Sequence, residues 1–225
     1  MEKIKNRRQF LKTSALGATA AYLGTASVRG SQTAGEKSRI VRIHDSRMLD
    51  SSEKINVDAV KPVINDVLTE LTGTGSVKDA WLKIFPDLQS SDIIGFKINC
   101  INQYLSSHPG VVIPLAESLV ESTGMNPNNI IIWDRTSREV ERAGYTLNKS
   151  GDGIRVMGTS EDVGYDENRL ITVNEGVTVK PSKILSQMCT YLVNVPVLKD
   201  HGSSGVTFSM KNHYGSIDRP NACHR

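Results

Sequence analysis

Lys199, Asp200, His201, Lys211, Asn212 and His213 crowd one stretch near the carboxyl end, Leu192–Ile217 (LVNVPVLKDHGSSGVTFSMKNHYGSI). Lysine supplies positive charge or, as a free amine, a nucleophile. Histidine titrates near neutral pH, transfers protons and ligates metals. An aspartate beside it can orient the ring or complete a metal shell. Between the two groups, Gly202-Ser203-Ser204-Gly205 reads as a turn with free backbone N–H groups, and Gly205–His213 as a helix opening from it. Such a start favours an anion, because unpaired N–H groups and the helix dipole both attract negative charge. On that helix Lys211 falls four residues after Thr207, and His213 four after Ser209, each pair on one face.

The same residue types recur where other apolar runs end. Arg39–Met48 alternates at its start, reads as a first strand, and delivers His44-Asp45-Ser46-Arg47. Asp92–Ile101 (DIIGFKINCI) delivers Lys97, Asn99 and Cys100, then Asn102 and Ser106-Ser107-His108-Pro109. Lys97 and Asn99, two apart on a strand, share a face, and a lysine in so apolar a run needs a partner for its charge. Asn129–Trp133 (NIIIW), continuously apolar like a strand buried on both faces of a parallel sheet, delivers Asp134-Arg135. Tyr191–Leu198 (YLVNVPVL) delivers Lys199, Asp200 and His201, with Pro196 placing its end near that point. In an open parallel sheet, ligands bind beyond the carboxyl ends of the strands.

The elements between these ends read as helices. Val57–Leu71 carries Val57, Val60, Ile64, Val67, Leu68 and Leu71 on one face. Further helices are predicted over Val77–Phe85, before Pro86, over Pro109–Ser122 with a stop at Gly124, over Arg138–Ala143 and over Ser182–Cys189. Ile154–Gly158 reads as a strand and Leu170–Lys180 as a polar strand or hairpin. Strands alternating with helices predict an α/β domain, a largely parallel sheet flanked by helices, in a single domain.

Charge and cysteine usage narrow the partners. The chain of 225 residues has a formal charge of +3, but Lys3, Lys5, Arg7, Arg8 and Lys12 against Glu2 place +4 in residues 1–26 and leave −1 for the rest. A near-neutral body has no electrostatic footprint for nucleic acid. Three separated cysteines, Cys100, Cys189 and Cys223, build no self-contained iron–sulfur site or zinc ribbon. Residues 1–26 run from a charged start through small apolar residues. Asn6-Arg7-Arg8-Gln9-Phe10-Leu11-Lys12 resembles a twin-arginine signal, implying the twin-arginine export machinery as a partner and a periplasmic or extracellular protein. Cleavage after Ala26 leaves a polar linker, 27–38, before the domain at 39–225.

YLVNVPVLKDHGSSGVTFSMKNHYGSI, with DIIGFKINC, SSHPGVV, NIIIWDR and ERAGY in this order, resembles the family catalogued as domain of unknown function 362, in its twin-arginine-exported branch. Some relatives are joined to ferredoxin-type modules, which implies an iron–sulfur redox partner. Members commonly continue beyond this motif, so a C-terminally incomplete sequence is expected. The residues and the resemblance together point to an enzyme acting on a small anionic ligand, dependent on a metal or cofactor. A non-catalytic module that captures an anion or docks a redox partner is the alternative. Lys97, Asp134, Lys199, His201 and Lys211 are the catalytic candidates. Asn99, His108, Arg135, Gly202, Ser203, Ser204 and Asn212 are the binding candidates. His201, His213, Cys223 and His224 are the candidate ligands of a divalent metal.

Overall fold

The computed structural model describes residues 38–174 and 176–223. The chain divides into Met1–Arg39 and a compact body, Ile40–Arg225. The export signal, almost all of the polar linker and His224 lie outside the described residues.

The body is built on a four-stranded sheet of β1 (Ile94–Lys97), β2 (Ile130–Asp134), β3 (Arg155–Gly158) and, late in the chain, β6 (Tyr191–Asn194). Spatial order is β3-β2-β1-β6, and every pairing is parallel. The chain steps from β1 outward to β2 and β3, then returns to the other side of β1. The order therefore reverses between β1 and β6, the kind of crevice where open α/β sheets bind ligands. The α/β class and the parallel sheet flanked by helices are as the sequence predicts.

One face of the sheet carries the main core. Ile94, Phe96, Ile98, Ile130 and Ile132 pack under α1 (Val57–Thr72), α2 (Val77–Ile84) and α3 (Pro109–Thr123). Helix α1 buries Val60, Ile64, Leu68 and Thr72, spaced by one turn. In α2, Ser76 caps the start by accepting from Asp79 N, and Trp81 stacks on Phe85 at 5.8 Å. Helix α3 begins at Pro109 and ends at Gly124, whose φ of 75° suits a residue without a Cβ. Each fully buried isoleucine or phenylalanine here stabilises the fold by about 1.5–3 kcal/mol. The strands alternate, so Ile131, Trp133 and Met157 face the other way and pack on Ile184. No described helix is long and apolar enough to cross a membrane.

Several elements differ from expectation. Arg39–Met48 is not a strand: its residues run as coil into a 3-10 turn, Ser46–Met48, capped by Asp45, and Ile40 is 86% exposed. Its short alternation found no partner strand, so His44-Asp45-Ser46-Arg47 does not end a strand of the sheet. Ser182–Cys189 holds a single wide turn, Ile184–Met188, closed by Cys189 N on Ile184 O. β6 stops at Asn194, two residues before Pro196. The polar hairpin forms as β4 (Ile171–Asn174) and β5 (Val177–Val179). The helix expected over Gly205–His213 is instead a second hairpin followed by a 3-10 segment. β7 (Lys199–His201) pairs antiparallel with β8 (Gly205–Thr207), and Ser209–Ser216 follows. Val206, Thr207 and Phe208 are β-branched and aromatic, which suits a strand better than a helix start.

Candidate functional site

Three parallel strands deliver side chains to one end of the sheet. β1 runs out through Lys97 to Asn99, β2 ends at Asp134, and β6 ends at Asn194. The β7–β8 hairpin and the 3-10 segment fold over that end and enclose a cavity of about 130 Å3. Its lining includes Asn99, Asp134, Arg135, Lys199, His201, Lys211 and Asn212. Four candidate catalytic residues and three candidate binding residues thus meet in one place. The lining also includes residues with no separate signal in the sequence: Ile101, Glu139, Thr207, Tyr214, Gly215 and Pro220.

Beneath the cavity lies a buried ion pair. Lys97 Nζ donates to Asp134 Oδ1 at 2.7 Å and to Ile98 O at 2.6 Å, and the lysine is 1% exposed. Asp134 Oδ1 also accepts from Arg135 N, and Oδ2 from Cys100 N. So many donors hold the carboxylate in place and commit its oxygens. Lys97 does not line the cavity. It stands 5.5 Å from the Trp133 ring, so its geometry suits positioning the strand ends rather than touching a ligand. Gly215 closes over the pair: a Cβ there would meet Asp134 Oδ1 at 2.5 Å and Lys97 Nζ at 3.3 Å. Only glycine allows that approach.

A chain of amides links this pair to the cavity wall. Asn212 Nδ2 donates to Lys97 O and to Asn194 Oδ1, and Asn99 Nδ2 donates to Asn212 Oδ1. Asn194 Nδ2 reaches Ser209 O, and Lys199 Nζ donates to Asn99 Oδ1 at 2.8 Å. Ser107 Oγ accepts from Asn99 N and donates to Val195 O, tying β1 to β6. An asparagine closing the apolar run YLVN is the visible signal for Asn194. Its role needed the fold to be seen.

The cavity-facing cations are held differently. Lys199 Nζ donates to the neutral oxygens of Asn99 and Leu105, at 2.8 and 3.0 Å. Lys211 Nζ lies 3.1 Å from His201 Nε2, 3.3 Å from Ser204 Oγ and 5.2 Å from the centre of the Tyr214 ring. His201 Nδ1 accepts from Ser203 N and Ser204 N. The turn amides expected to take an anion therefore serve the histidine, and no helix dipole stands behind them. Arg135 and Glu139, 3.7 Å apart, offset one another, as do Lys97 and Asp134. Among the described residues neither Lys199 nor Lys211 pairs with a carboxylate, so the cavity carries two cations in excess.

Other candidates fall elsewhere. His108 caps α3, its Nδ1 accepting from Gly110 N, and does not line the cavity. Gly202 belongs to the hairpin turn and has open space around it. Asp200 is exposed, because alternation along β7 turns it away from Lys199 and His201. His213 is partly buried and meets Ser216 Oγ, and Cys223 O accepts from Tyr214 OH. Burial, aided by Lys97, lowers the His213 pKa, against a smaller opposing pull from Asp134. Among the described residues no group of three His, Cys, Asp or Glu is arranged to hold a metal; His224, the fourth of the candidate ligands, lies outside them. All three cysteines are free. Burial pushes the Cys100 thiol up, with Asp134 adding to it, and the Cys189 thiol to about 12, so neither is a ready thiolate.

The fold and cavity define an α/β protein with a polar, cationic site beyond the carboxyl ends of a parallel sheet. Residues 95–225, more than half of the chain, match the family model described as domain of unknown function (DUF362), and the chain belongs to that family. Neither the curated proteins nor the solved structures offer a match.

Proposed function

We propose that this chain is an exported enzyme that binds a small carboxylate- or phosphate-bearing substrate in the strand-end cavity. The observation that carries this is the pair of lysines, Lys199 and Lys211, facing one cavity without a described carboxylate partner. The cavity is small beside the several-hundred-Å3 pockets of drug-sized ligands, so a few-atom anion suits it better than a nucleotide. His201, fixed by two turn amides and in contact with Lys211, supplies proton transfer. Calorimetric titration with inorganic phosphate tests the binding half. Lys211→Ala should weaken phosphate by about tenfold or more, since hydrogen bonds to charged groups contribute about 1.5–3 kcal/mol. Raising the salt should weaken the wild type. Unchanged affinity in the variant would remove the cavity from consideration. Phosphate binding with no turnover across a panel of small acids would reassign the domain to anion capture.

The export half rests on Arg7-Arg8 and the residues around them. Replacing both arginines by lysine preserves charge and should leave the precursor in the cytoplasm, seen by cell fractionation. Normal export of that variant would refute the twin-arginine route.

A further inference from the structure

We infer that Lys199 is a covalent amine nucleophile, and that the ligand class of this cavity is the small oxo acid, a carboxylate bearing a ketone or aldehyde. The inference rests on the anion-binding reading and names both the substrate class and the residue that would bond to it.

Three lysines reach this end of the sheet, and their surroundings sort them. Lys97 is sealed beneath the cavity by Asp134 and Ile98 O and cannot meet a ligand. Lys211 lies near the Tyr214 ring, a setting that suits a cation, and beside Ser204 and His201. It is the anchor for a carboxylate. Lys199 lines the cavity with its nitrogen on two neutral carbonyl oxygens and, among the described residues, no ion pair. Two acceptors for three N–H bonds of an ammonium leave one direction for a ligand. Desolvation of a lysine favours its neutral amine, a device that activates lysines for attack on carbonyls. Burial lowers the Lys199 pKa, with weaker opposing pulls from Asp134 and Cys100.

His201 stands two residues along β7 on the same face, and both side chains line the cavity. The Lys199 amine adds to the carbonyl carbon, and the proton lost by nitrogen passes to the carbonyl oxygen to give a carbinolamine. A proton from solvent then goes to that hydroxyl, which leaves as water while the nitrogen lone pair closes the C=N bond. The product is a protonated imine on Lys199. No oxidant or reductant takes part.

The test uses the full chain with pyruvate as probe and cyanoborohydride as trap, read by intact mass and peptide mapping. The expected result is one reductively attached pyruvate per chain, on Lys199. Lactate, which has no carbonyl, should leave no mark, and inorganic phosphate should compete. In Lys199→Arg the adduct should fall by at least about tenfold. The wild-type map stands alone if that variant does not fold. No adduct, or label spread evenly over surface lysines, overturns the inference. Phosphate titration of the same preparation separates the two readings: binding without an adduct removes only the imine, whereas no binding removes the anion site as well.

Discussion

Lys97 ends β1 and Lys199 opens the hairpin folded over the same end of the sheet, with Asn99 and Asn212 connecting them, yet they meet opposite environments. The Lys97 nitrogen has a carboxylate at 2.7 Å and almost no exposure. The Lys199 nitrogen has, among the described residues, neutral oxygens as its partners and a cavity beside it. Desolvating a charge is costly unless it is paired, so a buried lysine acquires a fixed partner and becomes scaffold. A half-buried lysine held by carbonyls keeps its charge, or its lone pair, for something else. Residue type alone does not separate the two roles. The partner does.

The largest effect should come from breaking the scaffold side. Lys97→Met leaves the Asp134 carboxylate buried with only Arg135 N and Cys100 N as described partners, and should cost about 3–5 kcal/mol in urea unfolding. Lys199→Met, by contrast, should stay within about 1 kcal/mol while losing phosphate affinity. Equal stability losses in the two variants would erase the distinction.

Gly215 sharpens the comparison, since it touches the scaffold pair from the cavity side. Gly215→Ala drives a methyl group to 2.5 Å from Asp134 Oδ1, an atom held by Lys97 and Arg135 N. Overpacking of this kind typically costs about 1–3 kcal/mol, and because Gly215 lines the cavity the variant should lose phosphate binding as well. A thermal melt matching wild type would mean that the loop yields freely.

Much of the scaffold was legible because its signals are local. NIIIW marks a strand buried on both faces, and Pro109 with Gly124 brackets α3 at both ends. Asn99, Asp134, Arg135, Lys199 and His201, at or beyond the strand ends in DIIGFKINC, NIIIWD and YLVN, meet at one cavity, whereas His108 and Asp200 do not. What the sequence hid depends on partners distant along the chain. The Lys97–Asp134 pair spans 37 residues and the Asn99–Asn212 bond 113, and no periodicity announces either. The glycines at 202 and 205 suggested a helix start, but tight turns in hairpins draw on the same residues. Arg39–Met48 alternates like a strand, yet alternation makes a strand only where a neighbour supplies hydrogen bonds.

The smallest effect belongs to His213, on the scaffold side of the same divide. Its folded pKa is lowered from the ordinary value of 6.5, first by burial and then by the Lys97 charge. The unfolded chain therefore binds a proton at a higher pH than the folded one. Stability attached to this group is present above the ordinary histidine value and is lost as pH falls through it toward the folded value. Urea midpoints at pH 7.5 and pH 5.5 read this directly. Wild type should lose more stability over that interval than His213→Gln, which has no proton to gain. If the two lose the same amount, neither burial nor the Lys97 charge holds the His213 pKa down, and His213 does not belong to the scaffold side.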